Sequence, residues 1–199
     1  VVLLATAIAG MTMMKTSGKM VDDLPESDPV YRDLKYFEAN VKGVMPFEIA
    51  INTKKRNGVM KFETIEKIND LQNEILKLPY FSKPLSLAEV LKFARQAYYN
   101  GKESKYGMPS KQESNFILSY MPKKADNKAN NLLHSFIDST RQITRISFQM
   151  ADVGLHDMND ILTEIKPKVD SIFDPADFDV NITGNSIVYT QGTAFLIKS

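Results

Sequence analysis

Pro46-Phe-Glu-Ile-Ala-Ile-Asn52 alternates strictly, with Phe47, Ile49 and Ile51 on one side and Glu48, Ala50 and Asn52 on the other. A period of two with one apolar side marks a strand covered on a single face. The residues that follow supply a cover. Lys54-Lys-Arg-Asn-Gly58 reads as a turn, Asn-Gly being its strongest signal. Phe62, Ile65, Ile68, Leu71, Ile75 and Leu78 then recur at helical spacing until Pro79 stops them.

The same order returns later in the chain. Thr144, Ile146, Phe148 and Met150 alternate as a second strand. Leu155–Ile172 reads as a second long helix, with Met158, Ile161, Ile165, Val169 and Ile172 on its stripe and a kink expected at Pro167. Phe178, Val180 and Ile182 read as a third strand. Gly184-Asn185 is a turn or bulge, and Ile187–Tyr189 a continuation or a fourth strand. Two strand–helix units with closing strands suggest an α+β sandwich of the ferredoxin-like, split β-α-β kind. Residues 80–139 would then be a helical insert on that sandwich.

Outside these units, Asp28-Pro29 opens a helix with Val30, Leu34, Phe37 and Val41 at helical spacing, ended by Gly43. Within the insert, Ser86-Leu-Ala-Glu89 is a capping-box pattern before a helix that turns Leu87, Val90, Leu91 and Ala94 inward and closes at Asn100-Gly101. Ser110-Lys-Gln-Glu113 is a second box, ahead of Phe116, Ile117 and Tyr120. Asp126 opens a short helix with Leu132, Leu133, Phe136 and Ile137 on its apolar side.

Val1–Met14 is uncharged and mostly apolar, but shorter than the roughly 20 residues a spanning helix needs. It reads as the C-terminal part of a transmembrane helix, with Leu3, Leu4 and Ile8 in contact with the membrane. The expected organisation is therefore a membrane helix end and connector over residues 1–20 and one domain over 21–199.

Composition narrows the function classes. Twenty-five Lys and Arg against 24 Asp and Glu leave a net charge of +1, so no electrostatic argument for nucleic acid exists. The absence of cysteine excludes a disulfide scaffold, a thiolate zinc site and a cysteine nucleophile. There is no Gly-x-Ser-x-Gly elbow, phosphate-binding glycine loop or His-Glu-x-x-His. His134 and His156 each stand alone, without a second ligand at metal spacing. The expectation is a protein that is not an enzyme and uses no cofactor or metal.

Three other groupings bear on binding. Asp22, Asp23, Glu26 and Asp28, and separately Asp174, Asp177 and Asp179, carry several carboxylates but lack an EF-hand spacing, so they read as solvated loops and caps. Lys54-Lys55-Arg56 reads as a solvated turn. The insert gathers Tyr80, Phe81, Phe93, Tyr98, Tyr99, Tyr106, Phe116 and Tyr120. Tyrosine offers an apolar body and a polar tip, suited either to an amphiphile or to packing of the insert onto the sheet. Tyr98, Tyr99 and Tyr106, with Phe148 and Met150 on the second strand, are the expected substrate or neighbour-domain contacts.

Several phrases occur in a telling order. Asp23-Leu-Pro-x-Ser-Asp-Pro29 follows the apolar run; Phe37-Glu38 and Gly43-Val-Met-Pro-Phe-Glu48 lead into the first strand; Pro84-Leu-Ser-Leu-Ala-Glu89, Asn181-Ile-Thr-Gly184 and Phe195-Leu-Ile-Lys198 come after. Together they resemble the first extracytoplasmic loop of a resistance–nodulation–division (RND) superfamily exporter of the MMPL-like type. The resemblance implies a first transmembrane helix at Val1–Met14, a second beginning past Ser199, and a porter domain facing the periplasm at the bacterial inner membrane. It implies proton-driven export of hydrophobic or amphiphilic molecules such as lipids or drugs, with the proton-carrying residues in membrane helices outside this chain. The implied partners are that substrate, the membrane, the remaining membrane helices and a second porter domain, and a homo-oligomer is compatible with it. The alternative is an extracytoplasmic sensor or scaffold domain of another membrane protein.

Overall fold

The computed structural model describes residues 24–119 and 135–185, together with residues 19, 187, 188, 192 and 195. It is a mixed α+β structure. Three strands, β1 (Met45–Asn52), β2 (Ile143–Met150) and β3 (Asp179–Thr183), form an antiparallel sheet in the order β2-β1-β3. The helices are α1 (Pro29–Val41), α2 (Phe62–Ile75), α3 (Leu87–Tyr98), α4 (Lys111–Ser119) and α5 (Leu155–Ile172).

The alternation in the sequence fixes the register. Phe47 lies opposite Phe148, Ile49 lies between Ile146 and Ile182, and Ile51 lies between Thr144 and Val180. These side chains turn to one face and join Ile65, Ile68, Leu71 and Ile75 of α2 and Met158, Ile161, Ile165 and Val169 of α5 in one core. A one-residue slip of β1 would expose its whole apolar set, so burial itself specifies the pairing.

The connections are of one kind. β3 and β2 both run antiparallel to β1, so they are parallel to each other, with β1 between them and α5 joining them. On the far edge of β2, Phe81 bridges Met150 and Leu85 bridges Ser147, both antiparallel. The main-chain bonds Leu85 N–H to Ser147 O (2.8 Å) and Ser147 N–H to Leu85 O (2.9 Å) secure this strip. It runs parallel to β1, with β2 between and α2 joining the two. The start of the expected insert is thus part of the sheet edge, and Phe81 enters the core. Its ring lies 4.9 Å from Phe47 and 5.5 Å from Phe148, both edge-on.

Local signals account for the element ends. Asp28 Oδ1 accepts from Val30 N–H at 2.8 Å ahead of Pro29, Ser110 Oγ accepts from Glu113 N–H, and Gly101 closes α3 by donating to Gln96 O at 2.9 Å. Asn57 adopts φ 56° at the Asn-Gly turn. Pro167 lies inside α5 without ending it. Lys67 Nζ donates to Ile172 O at 2.8 Å and sits 5.0 Å from the Phe178 ring, a cation placed at the negative end of α5.

Four expectations need correction. Ile187 and Val188 are helical, not a fourth strand, and their N–H groups both donate to Gly184 O at 3.1 Å. The third strand begins after Phe178, whose ring packs on Phe173 at 5.1 Å. The stripe of α1 is not a core face: the helix has no buried residue, and Val30, Phe37 and Val41 are exposed. Val1–Met14, with Leu3, Leu4 and Ile8, lies outside the described residues, as do Asp22, Asp23, Tyr120, residues 126–134 of the helix expected at Asp126, with His134, and Tyr189. Phe136 and Ile137, expected on that helix, are not helical, Phe136 lying in a turn and Ile137 bridging Thr144. Among the described residues no helix is long and apolar enough to cross a membrane.

Candidate functional site

The five expected contact residues separate into two environments. Phe148 and Met150 are 1% and 0% exposed, because the even-numbered side of β2 is its core side. They are packing residues, out of reach of a ligand or neighbouring domain, and that part of the expectation is corrected. Tyr98, Tyr99 and Tyr106 lie on the helical insert, toward solvent.

Helix α3 buries Leu87, Ala88 and Leu91, which leaves its other side outward. Its last residue, Tyr98, is 64% exposed, with its ring 5.2 Å from Tyr99 and 5.7 Å from Phe116 on α4. Phe116 is itself exposed. The three rings stand edge-on and form an aromatic patch at the open end of the α3–α4 pair. Tyr99 is the fixed member: its hydroxyl donates to Glu113 Oε1 at 3.0 Å, and Lys105 Nζ lies 4.7 Å from its ring centre. Glu113 is held by Ser110 N–H at 2.8 Å, and Arg95 Nε lies 3.4 Å from it. These donors, the Ser110 amide first, keep the Glu113 carboxyl below the usual range, while the bond to Glu113 raises the Tyr99 phenol. A depressed carboxylate contributes stability above its unfolded pKa and loses it as pH falls through the folded value, so this end of the insert loosens in acid.

Tyr106 does not join the patch. Its hydroxyl donates to Glu89 Oε2, near the start of α3. Glu89 precedes Tyr98 by nine residues, about 13 Å along a helix rising 1.5 Å per residue. Glu89 is a hub, where the sequence pattern marks only a capping residue. Its N–H does donate to Ser86 Oγ at 3.2 Å, but its carboxylate accepts from Gln72 Nε2, Lys92 Nζ and Tyr106. Gln72 is fully buried on α2 and accepts from Ser86 Oγ at 2.7 Å. The available signal is Gln72 itself, a polar residue between Ile68 and Ile75 on an apolar stripe. This network ties the insert to α2.

Burial, then the bond to Glu89, pushes the Tyr106 phenol up to about 12. A raised tyrosine contributes stability that is complete below the unfolded value near 10 and is lost as pH rises through about 12. The phenolate absorbance titration of the eight-tyrosine chain, minus that of Tyr106→Phe, should therefore centre near 12. A difference curve centred at the ordinary tyrosine value would show that Tyr106 is not held by Glu89.

The charged groupings neutralise each other. Lys55 Nζ lies 2.8 Å from Asp177 Oδ1, and Lys54 Nζ donates to Pro175 O at 2.7 Å. The basic turn and the acidic loop thus meet at one end of the sheet. His156 is an exposed residue on α5, 3.8 Å from Asp160. Among the described residues no group of three or more His, Asp or Glu side chains is placed to hold a metal ion. The patch at Tyr98 offers an apolar contact surface. No family model matches the chain, and no curated protein matches it.

Proposed function

We propose that the chain is an extracytoplasmic domain of an RND/MMPL-type exporter, in which the α3–α4 insert presents an apolar contact surface to an amphiphilic molecule or a neighbouring domain. The observation that carries this reading is the aromatic patch: Tyr98 stands outward while Tyr99, pinned by Glu113, holds its base. Tyr98 and Phe116 together expose apolar ring surface of the kind that a partner or an amphiphile covers. Two further features support the reading. The bridges of Phe81 and Leu85 to β2, beside the strand order β2-β1-β3, support reading the sheet as the ferredoxin-like arrangement expected of a porter domain. The uncharged Val1–Met14 run and the exposed apolar side of α1 suit a domain that works against a membrane or other domains. The work is binding and transmission of motion: a difference in affinity of a few kcal/mol between two states of the transporter suffices to couple them.

The test is Tyr98→Ala in the parent protein. Export of an amphiphilic reporter should fall while circular dichroism of the domain is unchanged, because among the described residues the Tyr98 side chain makes only the exposed ring contacts with Tyr99 and Phe116. Unchanged export would remove the patch from the mechanism. A parent sequence with one membrane anchor and a signalling module would replace the exporter by the sensor reading.

A further inference from the structure

β3 is an edge strand whose chemistry is self-complementary. Among the described residues it pairs on one side only, with β1. Beside its open edge runs a groove of about 270 Å³ between β3 and α5, lined by Leu162, Val180, Ile182 and Ile187, with Lys166 and Asp170 on its rim. Val180 and Ile182 point to the core side of the sheet, where they pack against the core, yet remain only half-buried. An unpaired row of main-chain donors and acceptors beside an apolar trough is met by one kind of ligand, an extended strand carrying apolar residues at every second position.

The strand's own sequence, Asp179-Val-Asn-Ile-Thr183, meets that description. We propose that β3 pairs with β3 of a second copy, antiparallel about Asn181, to make a continuous sheet across a two-fold axis. An axis at Asn181 sets each residue against a definite partner in the other copy. Val180 faces Ile182, Asp179 faces Thr183, and Asn181 faces Asn181. All three pairings are compatible. The two half-buried apolar residues cover one another, the only charge on the strand meets a hydroxyl, and two amides meet on the open face. No like charges lie opposite, which is the usual obstacle to self-pairing. The rim adds one charge of each sign, so it contributes no net repulsion. Isologous contact of this kind closes at two copies, because the two-fold axis uses the same edge of β3 in both. Five residues a side fall well short of the 20–30 or so of a standard interface, so the association is weak and needs a trapping experiment.

The chain contains no cysteine, so single thiols can be placed without competition. Asp179, Asn181 and Thr183 are exposed, so their variants keep the fold, which circular dichroism checks. Under mild oxidation Asn181→Cys should form a disulfide dimer about tenfold faster than an exposed thiol elsewhere, such as Asn73→Cys on α2, because pairing raises the local thiol concentration. Asp179→Cys mixed with Thr183→Cys should cross-link faster than either alone. In sedimentation velocity, Asn181→Lys should lose whatever concentration-dependent dimer the native chain forms, since it sets two ammonium groups face to face. Equal rates at residues 73 and 181, or equal rates for the mixture and its separate components, would overturn the proposal. So would dimerisation that Asn181→Lys leaves intact.

Discussion

Replacing Phe148 by alanine should destabilise the domain by about 3–5 kcal/mol, a large share of the total for an ordinary fold. The ring is 1% exposed and is one corner of a triad, 5.5 Å from Phe81 and 6.4 Å from Phe47, whose members come from three adjacent segments of the sheet. Alanine would remove the ring and leave a cavity between β1, β2 and the 81–85 strip, whose main-chain bonds to β2 would remain. Phe148→Leu retains most of the apolar volume and should cost about 1.5 kcal/mol. A double-mutant cycle with Phe81→Leu should show a coupling of roughly 1 kcal/mol from the edge-on contact. Urea midpoints measure all three. A Phe148→Ala midpoint equal to that of the native chain would mean that the triad is not formed. The result also separates packing from function. Under the proposed function, a loss of export in Phe148→Ala would report a damaged core, whereas Tyr98→Ala removes an exposed ring from an intact one.

The contrast between Phe148 and Tyr98 shows which parts of the molecule can be read from its residues. Alternation gives the core face of β1 and β2, since Phe47, Ile49 and Ile51 and their partners must all be buried or all exposed. Capping patterns place the starts of α1, α3 and α4, because the side chain that satisfies a helix's open N–H groups is adjacent in sequence. What escapes is non-local. The even-numbered side of β2 cannot serve both the core and ligand contact, and burial of Phe148 and Met150 decides for the core. The 81–85 strip, Phe-Ser-Lys-Pro-Leu, lacks a strand's alternation, and its two bridges depend on β2, more than sixty residues away. Glu89 has the look of half a capping box; Gln72 and Tyr106 reach it from another helix and a loop. Ile187 and Val188 are β-branched and follow a strand, yet the turn at Gly184 makes two local bonds and starts a helix. Of the aromatic insert, the grouping of Tyr98, Tyr99 and Phe116 follows from how α3 packs on α4, which no spacing rule supplies.

Gly43→Ala should be nearly as damaging as the loss of Phe148, costing about 3 kcal/mol, and for a different reason. At Gly43 the chain leaves α1 and passes close under the end of β2. Val44 N–H donates to Met150 O at 3.1 Å, and a Cβ on Gly43 would lie 2.2 Å from both the carbonyl carbon and the carbonyl oxygen of Met150. Those atoms are backbone and cannot swing aside, so the two segments must part by about 1 Å and the hydrogen bond goes with them. The pairing that follows, Met45 opposite Met150, is the first rung of the ladder between the two central strands, and Ala151 N–H donates to Tyr80 O just beyond it. Gly101→Ala is the control. Its φ of 76° disfavours a side chain, but nothing lies within 4 Å of the added Cβ, so only the backbone strain of about 1 kcal/mol applies. The same chemical change therefore meets a backbone clash on top of an unfavourable φ of 157° at residue 43, and conformation alone at residue 101. Equal midpoints for the two variants would mean that the approach of Gly43 to Met150 is not as tight as it stands. A midpoint for Gly43→Ala well below that of Gly101→Ala would establish that the close backbone approach of residues 43–44 to Met150 holds the entry to β1.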